Sequence, residues 1–162
     1  MNRKELLALL DAKGVSYELV EHEAVHTIDD MRALGLLEKG LVGKNLFLRN
    51  DNGKKHYLVF CGPDVQVDLK ELRPQIGSSR LSFASDDRLA KHLGLTPGAV
   101  TPFGLLNAPG ADIAWCVDSR MVGAPKIGVH PMDNEATLYL SWDDLRALVS
   151  ETGNPIITVT LS

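Results

Sequence analysis

The sequence predicts an α/β fold of the α+β kind, in which helices surround a mixed, largely antiparallel sheet. Strand-like apolar segments, two of them joined as a hairpin, are interspersed with capped helical segments. No G-x-G-x-x-G loop and no Walker lysine loop occurs, which disfavours a doubly wound nucleotide-binding fold. With 162 residues, 44% of them hydrophobic, the chain predicts a single domain over residues 1–162.

Two helices and a strand are predicted in the N-terminal region. Asn2 and Glu5 form a capping-box pattern before leucines at helical spacing, which predicts a helix over residues 3–13 that ends at Gly14. A strand follows over residues 15–20. Thr27 then caps a second helix. The apolar face of this second helix comprises Ile28, Met31, Leu34 and Leu37.

The strongest hairpin signal lies in the next segment. Residues 44–49 and 55–61 are apolar-rich runs joined by a turn at Asp51-Asn52-Gly53. Apolar residues occupy both parities of each run, a pattern typical of strands that are covered on both faces. We therefore expect this hairpin to be central to the fold.

The remaining elements are predicted from caps, glycines and prolines. Helices are expected near residues 69–76 and 85–92, with an extended piece at 81–83 between them. Residues 94–110 contain four glycines and three prolines, too many for a regular helix or a central strand. Strands are predicted at residues 113–117, 137–140 and 155–161, and Ser141 with Asp144 caps a last helix.

Composition narrows the classes of function. The 17 basic and 21 acidic residues give a net charge of −4, which argues against a protein that coats nucleic acid, although residues 39–55 hold a local excess of lysine and arginine. Cys61 and Cys116 are interpreted as free, buried thiols. The N-terminus lacks a signal-peptide pattern, and no apolar run approaches the roughly 18 residues that span a bilayer. We therefore expect a cytoplasmic protein that does not act at a membrane.

The segment His22-Glu23-Ala24-Val25-His26 matches the zinc-protease pattern H-E-x-x-H. That chemistry needs both histidines on one face of a helix, one turn apart. Here the preceding residues are strand-like and Thr27 begins a helix only after His26. We interpret the motif as a loop, and we expect neither a metal nor another cofactor.

Three features indicate a pocket without defining its chemistry. Lys44 begins a predicted strand on the side of Leu46 and Leu48, so it either extends into water or lies at the mouth of a pocket, where it can bind a phosphate or an oxyanion. The glycine-proline loop at residues 98–102 either presents backbone groups to a ligand or is a structural crossover. His130 is either a hydrogen-bonding group for a substrate or a structural histidine.

Four stretches together resemble one family. They are KNLFLR at residues 44–49, RLSFAS at residues 80–85, LGLTPGAVTPFGL at residues 93–105, and His130-Pro131 with Asn134. In this order they resemble the YbaK/ProX-type aminoacyl-tRNA deacylases, relatives of the editing domain of bacterial prolyl-tRNA synthetases. The resemblance covers almost the whole chain and implies a YbaK-like fold. Among its members, the chain looks most like the free-standing deacylases that remove alanine from tRNA(Pro).

The resemblance implies the site residues. The family's essential lysine falls on Lys44, its G-x-x-x-P loop begins at Gly98, and its histidine falls on His130. We expect these three to be catalytic. Substrate-binding residues are expected to be Asn45, Ala99, Val100, Thr101, Pro102, Ile28, Met31 and Phe47. The relatives need no metal, in agreement with the interpretation of His22 and His26.

The implied function is trans-editing: hydrolysis of the ester in mischarged Ala-tRNA(Pro), which protects proline codons from mistranslation. A pocket that admits alanine and excludes the proline ring by size would act as a second sieve. The partner is the acceptor end of tRNA(Pro), with prolyl-tRNA synthetase as a further candidate and DNA excluded. We expect the few phosphate contacts to come from residues such as Lys39, Lys44, Lys54 or Lys55. Two alternatives stay open: a Cys-tRNA(Pro) deacylase, and a non-catalytic module of the same fold that binds tRNA or a synthetase.

Overall fold

A computed structural model describes residues 1–161, and Ser162, the last residue of the predicted domain, lies outside the described residues. This part of the chain forms five α-helices, four 3-10 helices and nine strands. The helices are α1 (Arg3–Ala12), α2 (Ile28–Ala33), α3 (Leu69–Ile76), α4 (Asp86–Leu93) and α5 (Trp142–Ser150). The strands are β1 (Glu18–Glu21), β2 (Leu41–Val42), β3 (Lys44–Arg49), β4 (His56–Cys61), β5 (Ser82–Phe83), β6 (Ile113–Asp118), β7 (Ile127–Val129), β8 (Ala136–Leu140) and β9 (Ile156–Val159). The predicted fold class is confirmed.

Local hydrogen bonds explain where the helices begin and end. The side chains of Asn2 and Thr27 each accept a backbone N–H three residues ahead and form complete capping boxes, as predicted. α2 is shorter than expected because Gly35 adopts a left-handed conformation with φ of 73°. The predicted apolar face is therefore divided between α2 and a 3-10 helix over Leu36–Glu38.

The strands form two mixed sheets rather than the single sheet that the sequence predicted. The four-stranded sheet has the order β1-β8-β7-β2, and the five-stranded sheet has the order β5-β3-β4-β6-β9. Four of the seven strand pairs are antiparallel. The chain passes from one sheet to the other at Gly43, where a Cβ atom would lie only 1.8 Å from the ring of Phe60. A side chain at this position would prevent the close passage between the sheets.

The main core lies between the two sheets and the helices that cover them. It contains Leu58 and Phe60 from β4, whereas Tyr57, Val59 and Cys61 pack on the opposite face under α3. A third cluster covers the outer face of the four-stranded sheet with residues such as Met31 and Tyr139. The hairpin strands are therefore covered on both faces, as their two-parity pattern predicted.

Residues 94–110 form no regular α-helix or strand, as expected, but they contain 3-10 helices at Pro97–Ala99 and Pro102–Asn107. The sequence did not predict β2 or β7, which are two and three residues long. Among the described helices, none combines the length and the apolar character that a membrane crossing requires.

Candidate active site

A cavity of about 240 Å³ opens where the two sheets meet. Its walls come from four places in the chain: the segment that leads into α2, the start of β3, the glycine-proline loop and the residue after β7. The lining residues are Val25, His26, Thr27, Ile28, Met31, Gly43, Lys44, Asn45, Pro97, Gly98, Val100 and His130. The structure thus brings together all three residues predicted to be catalytic and four of those predicted to bind substrate.

Lys44 is the first residue of β3 and pairs with Cys61 across the hairpin. It follows Gly43 directly, so the crossing between the sheets fixes its position. Its Nζ donates to the carbonyl oxygen of Val65, in the segment after β4. An ammonium group has three donors, and within the described residues this is the one hydrogen bond that Nζ makes. Two donors remain for a ligand, which favours the pocket interpretation of Lys44 over the solvated one.

Asn45 attaches the glycine-proline loop to β3. Its Nδ2 donates to the carbonyl oxygen of Val100 over 3.3 Å. Its Oδ1 is buried and accepts no hydrogen bond within the described residues. A buried acceptor without a donor is costly, which makes Asn45 a costly residue for the fold to keep beside the cavity.

Gly98 is tightly enclosed by two polar side chains. A Cβ atom here would lie 3.2 Å from Nδ2 of Asn134 and 3.6 Å from Nδ1 of His26. Asn134 in turn donates from Nδ2 to the carbonyl oxygen of Val25 over 2.8 Å. The backbone of residue 98 is therefore exposed to the cavity between side chains that hold the wall in place.

Four residues predicted to bind substrate do not line this cavity, in contrast to the prediction that each contacts the substrate directly. Ala99, Thr101 and Pro102 are buried behind the wall, and the hydroxyl of Thr101 accepts the N–H of Phe103 as a helix cap. Phe47 packs in the main core and stacks on His56 with ring centroids 5.1 Å apart. The reason is strand register: Phe47 lies two residues beyond Asn45, toward the far end of β3.

His130 follows β7 and is partly buried. Its Nδ1 lies 3.3 Å from the carbonyl oxygen of Ala136. A carbonyl only accepts, so this nitrogen carries the proton and Nε2 keeps a free lone pair. Burial lowers the pKa of His130, a shift that the hydrogen bond to Ala136 partly opposes. A neutral imidazole at the cavity is suited to accept a hydrogen bond from a substrate.

The histidines of the H-E-x-x-H motif lie in a loop, as predicted, because α2 begins only at Ile28. His22 uses both ring nitrogens, one near the carbonyl of Glu23 and one near the hydroxyl of Thr137. His26 instead lines the cavity. Across residues 1–161, no three histidine, cysteine, aspartate or glutamate side chains converge as metal ligands.

Sequence reasoning missed His26 as a site residue because it was considered only as a zinc ligand. Asn134 belongs to the family pattern, but the pattern alone does not place it in the site. The signal that could have located His26 is its place two residues before Ile28, a predicted wall residue.

Both cysteines are buried thiols, as expected. Burial raises the pKa of Cys61 to about 11 and that of Cys116 to about 12. Such thiols are protonated near neutral pH and are poor nucleophiles. The site therefore offers a cation, a neutral imidazole, an amide and exposed backbone, and neither cysteine lines it.

Comparisons with known proteins show which chains this one is similar to. A family model described as the aminoacyl-tRNA editing domain matches residues 22–148. The chain is 43% identical over 159 residues to the prolyl-tRNA editing protein ProX of Acetoanaerobium sticklandii, covering 98% of this chain and 97% of that protein. It is 33% identical over 108 residues to the multifunctional Ser/Thr-tRNA deacylase ProXp-y of Escherichia coli K12, covering 64% of this chain and 63% of that protein.

A solved structure supports the same fold. It is that of a candidate trans-editing enzyme for prolyl tRNA synthetase, and it matches with a TM-score of 0.74 at 21% identity. The match covers 99% of this chain and 96% of that one. At this level of identity the similarity concerns the fold.

Proposed function

The chain belongs to the aminoacyl-tRNA editing domain family, and from this premise we propose that it hydrolyses the ester of mischarged Ala-tRNA(Pro) in trans. One observation carries the proposal: three distant parts of the sequence, which contribute Lys44 with Asn45, Gly98 and His130, line one cavity. The substrate is the acceptor end of tRNA(Pro), and prolyl-tRNA synthetase is the proposed source of the mischarged product. Charging of tRNA by that synthetase would place the reaction in the cytoplasm.

Ester hydrolysis needs an attacking water, stabilisation of the developing oxyanion and protonation of the leaving oxygen. An aminoacyl ester is already activated, so no protein nucleophile is required. Lys44 supplies a positive charge whose two remaining donors can meet the ester carbonyl or the terminal phosphate. The contact with Val65 holds the ammonium group in place, so less reorganisation accompanies the reaction.

The other polar groups orient the substrate. The neutral imidazole of His130 accepts a hydrogen bond at Nε2 from the ammonium group of the amino acid or from the ribose. The backbone around Gly98 positions the ester and the water. By resemblance to the family, the neighbouring ribose hydroxyl helps to activate that water. A substrate with hydrogen in place of this hydroxyl should lose most turnover.

Discrimination between amino acids would come from size. Ile28 and Met31 from α2 contribute apolar walls to a cavity of about 240 Å³. A synthetic site for proline cannot strongly reject alanine, because each missing methylene changes discrimination by only about 1–3 kcal/mol. An editing cavity that fits an alanyl group and clashes with a pyrrolidine ring separates the two by exclusion.

Serine and cysteine define the alternative substrates. The Escherichia coli relative is named as a Ser/Thr-tRNA deacylase, so seryl-tRNA is compared with cysteinyl-tRNA as an alternative substrate. A deacylase for Cys-tRNA(Pro) has the same catalytic arrangement and differs in the fit of the side chain. The non-catalytic module remains the alternative from another class.

Single-turnover deacylation tests the proposal. Alanyl-, cysteinyl-, seryl- and prolyl-tRNA with the tRNA(Pro) acceptor stem are incubated with wild-type protein, with Lys44→Ala and with Lys4→Ala, an exposed lysine of α1, as the matched control. We expect rapid loss of alanine, no loss of proline, and a Lys44→Ala rate at least about 100-fold lower. Preference for cysteine or serine would replace the alanine assignment. Absence of any cleavage would favour the binding module.

A further inference from the structure

A second cavity, of about 420 Å³, lies between α3 and the start of β5. Leu69 and Leu81 form its apolar part, and Lys70, Arg73 and Arg80 surround it with three cations. Lys70 and Arg73 are three residues apart on α3, so they share one face of the helix. No residue of the Lys44 cavity belongs to this one.

These three cations have no carboxylate partner in the part of the chain that the structure describes. Two nearby acidic groups are used elsewhere: Asp68 caps α3, and Asp64 pairs with Arg32 over 2.8 Å. Three positive charges beside an apolar floor, in a chain with a net charge of −4, create a local site for an anion.

The second cavity lies on the face of the five-stranded sheet from which Lys44 projects. Val65, whose carbonyl accepts Nζ of Lys44, is four residues before Leu69, a separation of at most about 14 Å of extended chain. Leu81 packs in the cluster that covers the Lys44 face of β3. Both cavities therefore lie beside the same short segment of chain, residues 65–69.

An exposed aromatic ring lies beside the second cavity. Phe83 is 62% exposed, more than any other large apolar side chain among residues 1–161. It lies two residues after Leu81 and pairs with Leu48, so its ring projects from the same face of the sheet as Lys44. Cations that meet phosphates, together with an exposed ring on which bases stack, are typical of surfaces that bind single-stranded RNA.

We propose that the cavity lined by Lys70, Arg73 and Arg80 binds backbone phosphate of the tRNA acceptor strand whose aminoacylated end occupies the Lys44 cavity, with Phe83 stacking on a neighbouring base. This inference rests on the proposed deacylase function and extends it from the ester to the nucleic acid. It assigns phosphate contacts to residues outside the basic segment 39–55 that the sequence favoured.

The test compares two substrates that carry the same ester. Ala-tRNA(Pro) has the backbone phosphates, whereas 3′-O-alanyl-adenosine has none. The variants are Lys70→Ala/Arg73→Ala and Phe83→Ala, and the control is Lys4→Ala/Arg146→Ala, which removes two exposed cations that line neither cavity. Circular dichroism and thermal unfolding verify that each variant is folded.

For Lys70→Ala/Arg73→Ala we expect kcat/KM on Ala-tRNA(Pro) to fall about tenfold, mainly through KM, and to stay within about twofold of wild type on alanyl-adenosine. The slope of log kcat/KM against log salt should flatten by about 1.4, the contribution of two phosphates on a single strand. Phe83→Ala should lower the same ratio several-fold on the tRNA substrate. The control should match wild type on both substrates.

The proposal is overturned if kcat/KM of Lys70→Ala/Arg73→Ala falls equally on both substrates, or does not change on Ala-tRNA(Pro). It is also overturned if the control variant loses as much kcat/KM on Ala-tRNA(Pro). If wild-type protein cleaves neither ester, the deacylase function fails instead. Binding of uncharged tRNA(Pro) then decides the phosphate site by itself: weaker binding by the Lys70→Ala/Arg73→Ala variant supports it, and unchanged binding refutes it.

Discussion

The backbone of residue 98 should tolerate no added methyl group if it lies against the reacting ester. In Gly98→Ala the new Cβ would stand 3.2 Å from Nδ2 of Asn134 and 3.6 Å from Nδ1 of His26. Asn134 would have to move by a few tenths of an ångström, which stretches its 2.8 Å hydrogen bond to Val25. The methyl group itself occupies roughly 30 Å³, about the volume of a water molecule and about an eighth of the cavity.

These displacements should affect catalysis far more than folding. Misplacement of reacting groups by about 1 Å costs about 100-fold in rate, so we expect a shift of a few tenths of an ångström to lower single-turnover deacylation of Ala-tRNA(Pro) about tenfold, and by no more than about 100-fold. Gly98 does not occupy the left-handed region, so alanine is compatible with its backbone. The free energy of unfolding should change by less than about 1 kcal/mol, because reduced freedom of the unfolded chain offsets the crowding.

Gly62→Ala is the matched control. Its Cβ would meet Cγ2 of Val65 at 3.6 Å, an ordinary contact, so both rate and stability should stay close to wild type. Urea denaturation is measured for both variants beside the deacylation rate. Full activity of Gly98→Ala would refute the placement of the ester at this backbone, and a loss that merely tracks unfolding would refute its catalytic cause.

Three further predictions concern polar groups. Asn45→Asp should lower the free energy of unfolding, measured in urea, by about 1–3 kcal/mol, because an acceptor replaces the donor to the carbonyl of Val100. An unchanged free energy of unfolding would show that this hydrogen bond is unimportant. Burial lowers the pKa of His56 to about 4. Between pH 4 and 6.5 the unfolded chain therefore binds a proton that the folded protein does not bind. The free energy of unfolding falls as the pH drops through that window, by up to about 3 kcal/mol. His56→Gln should remove most of this decline, and an unchanged decline would contradict the assignment. Since burial also lowers the pKa of His130, the deacylation rate should be constant from pH 8 to about pH 6.5 and fall only below that pH. If the rate of His130→Gln falls over the same pH range, this histidine is not the cause.

Local chemistry explains which elements the sequence predicted well. Helix starts depend on contacts within one turn, so Asn2, Thr27 and Ser141 predicted the first residues of α1, α2 and α5. The hairpin of β3 and β4 depends on a turn and on strand parity, which are also local. The two-parity pattern even predicted that Leu48 and Phe47 would face different cores.

Elements stabilised mainly by distant partners were missed. β7 has three residues and β2 has two, which is too few to show a periodic pattern. β2 forms because β7 supplies its hydrogen bonds, and β7 forms because β8 and β2 supply its own. The division into two sheets depends on the passage of Gly43 past Phe60, residues whose proximity no sequence spacing shows. The prediction that Phe47 lines the pocket fails for the same reason, because residue type alone does not show how far along β3 the cavity extends.

Sequence alone was enough for the fold class, the caps and the hairpin, and its resemblance to the family predicted Lys44, Gly98 and His130 as site residues. Tertiary structure alone decided which of these side chains meet, that His26 and Asn134 enclose Gly98, and that Lys70, Arg73 and Arg80 surround a second cavity. The difference lies in how far apart in the sequence the interacting residues are. Caps and turns are set by bonds between near neighbours in sequence, whereas a cavity is a space left between elements whose distance depends on the packing of the whole chain.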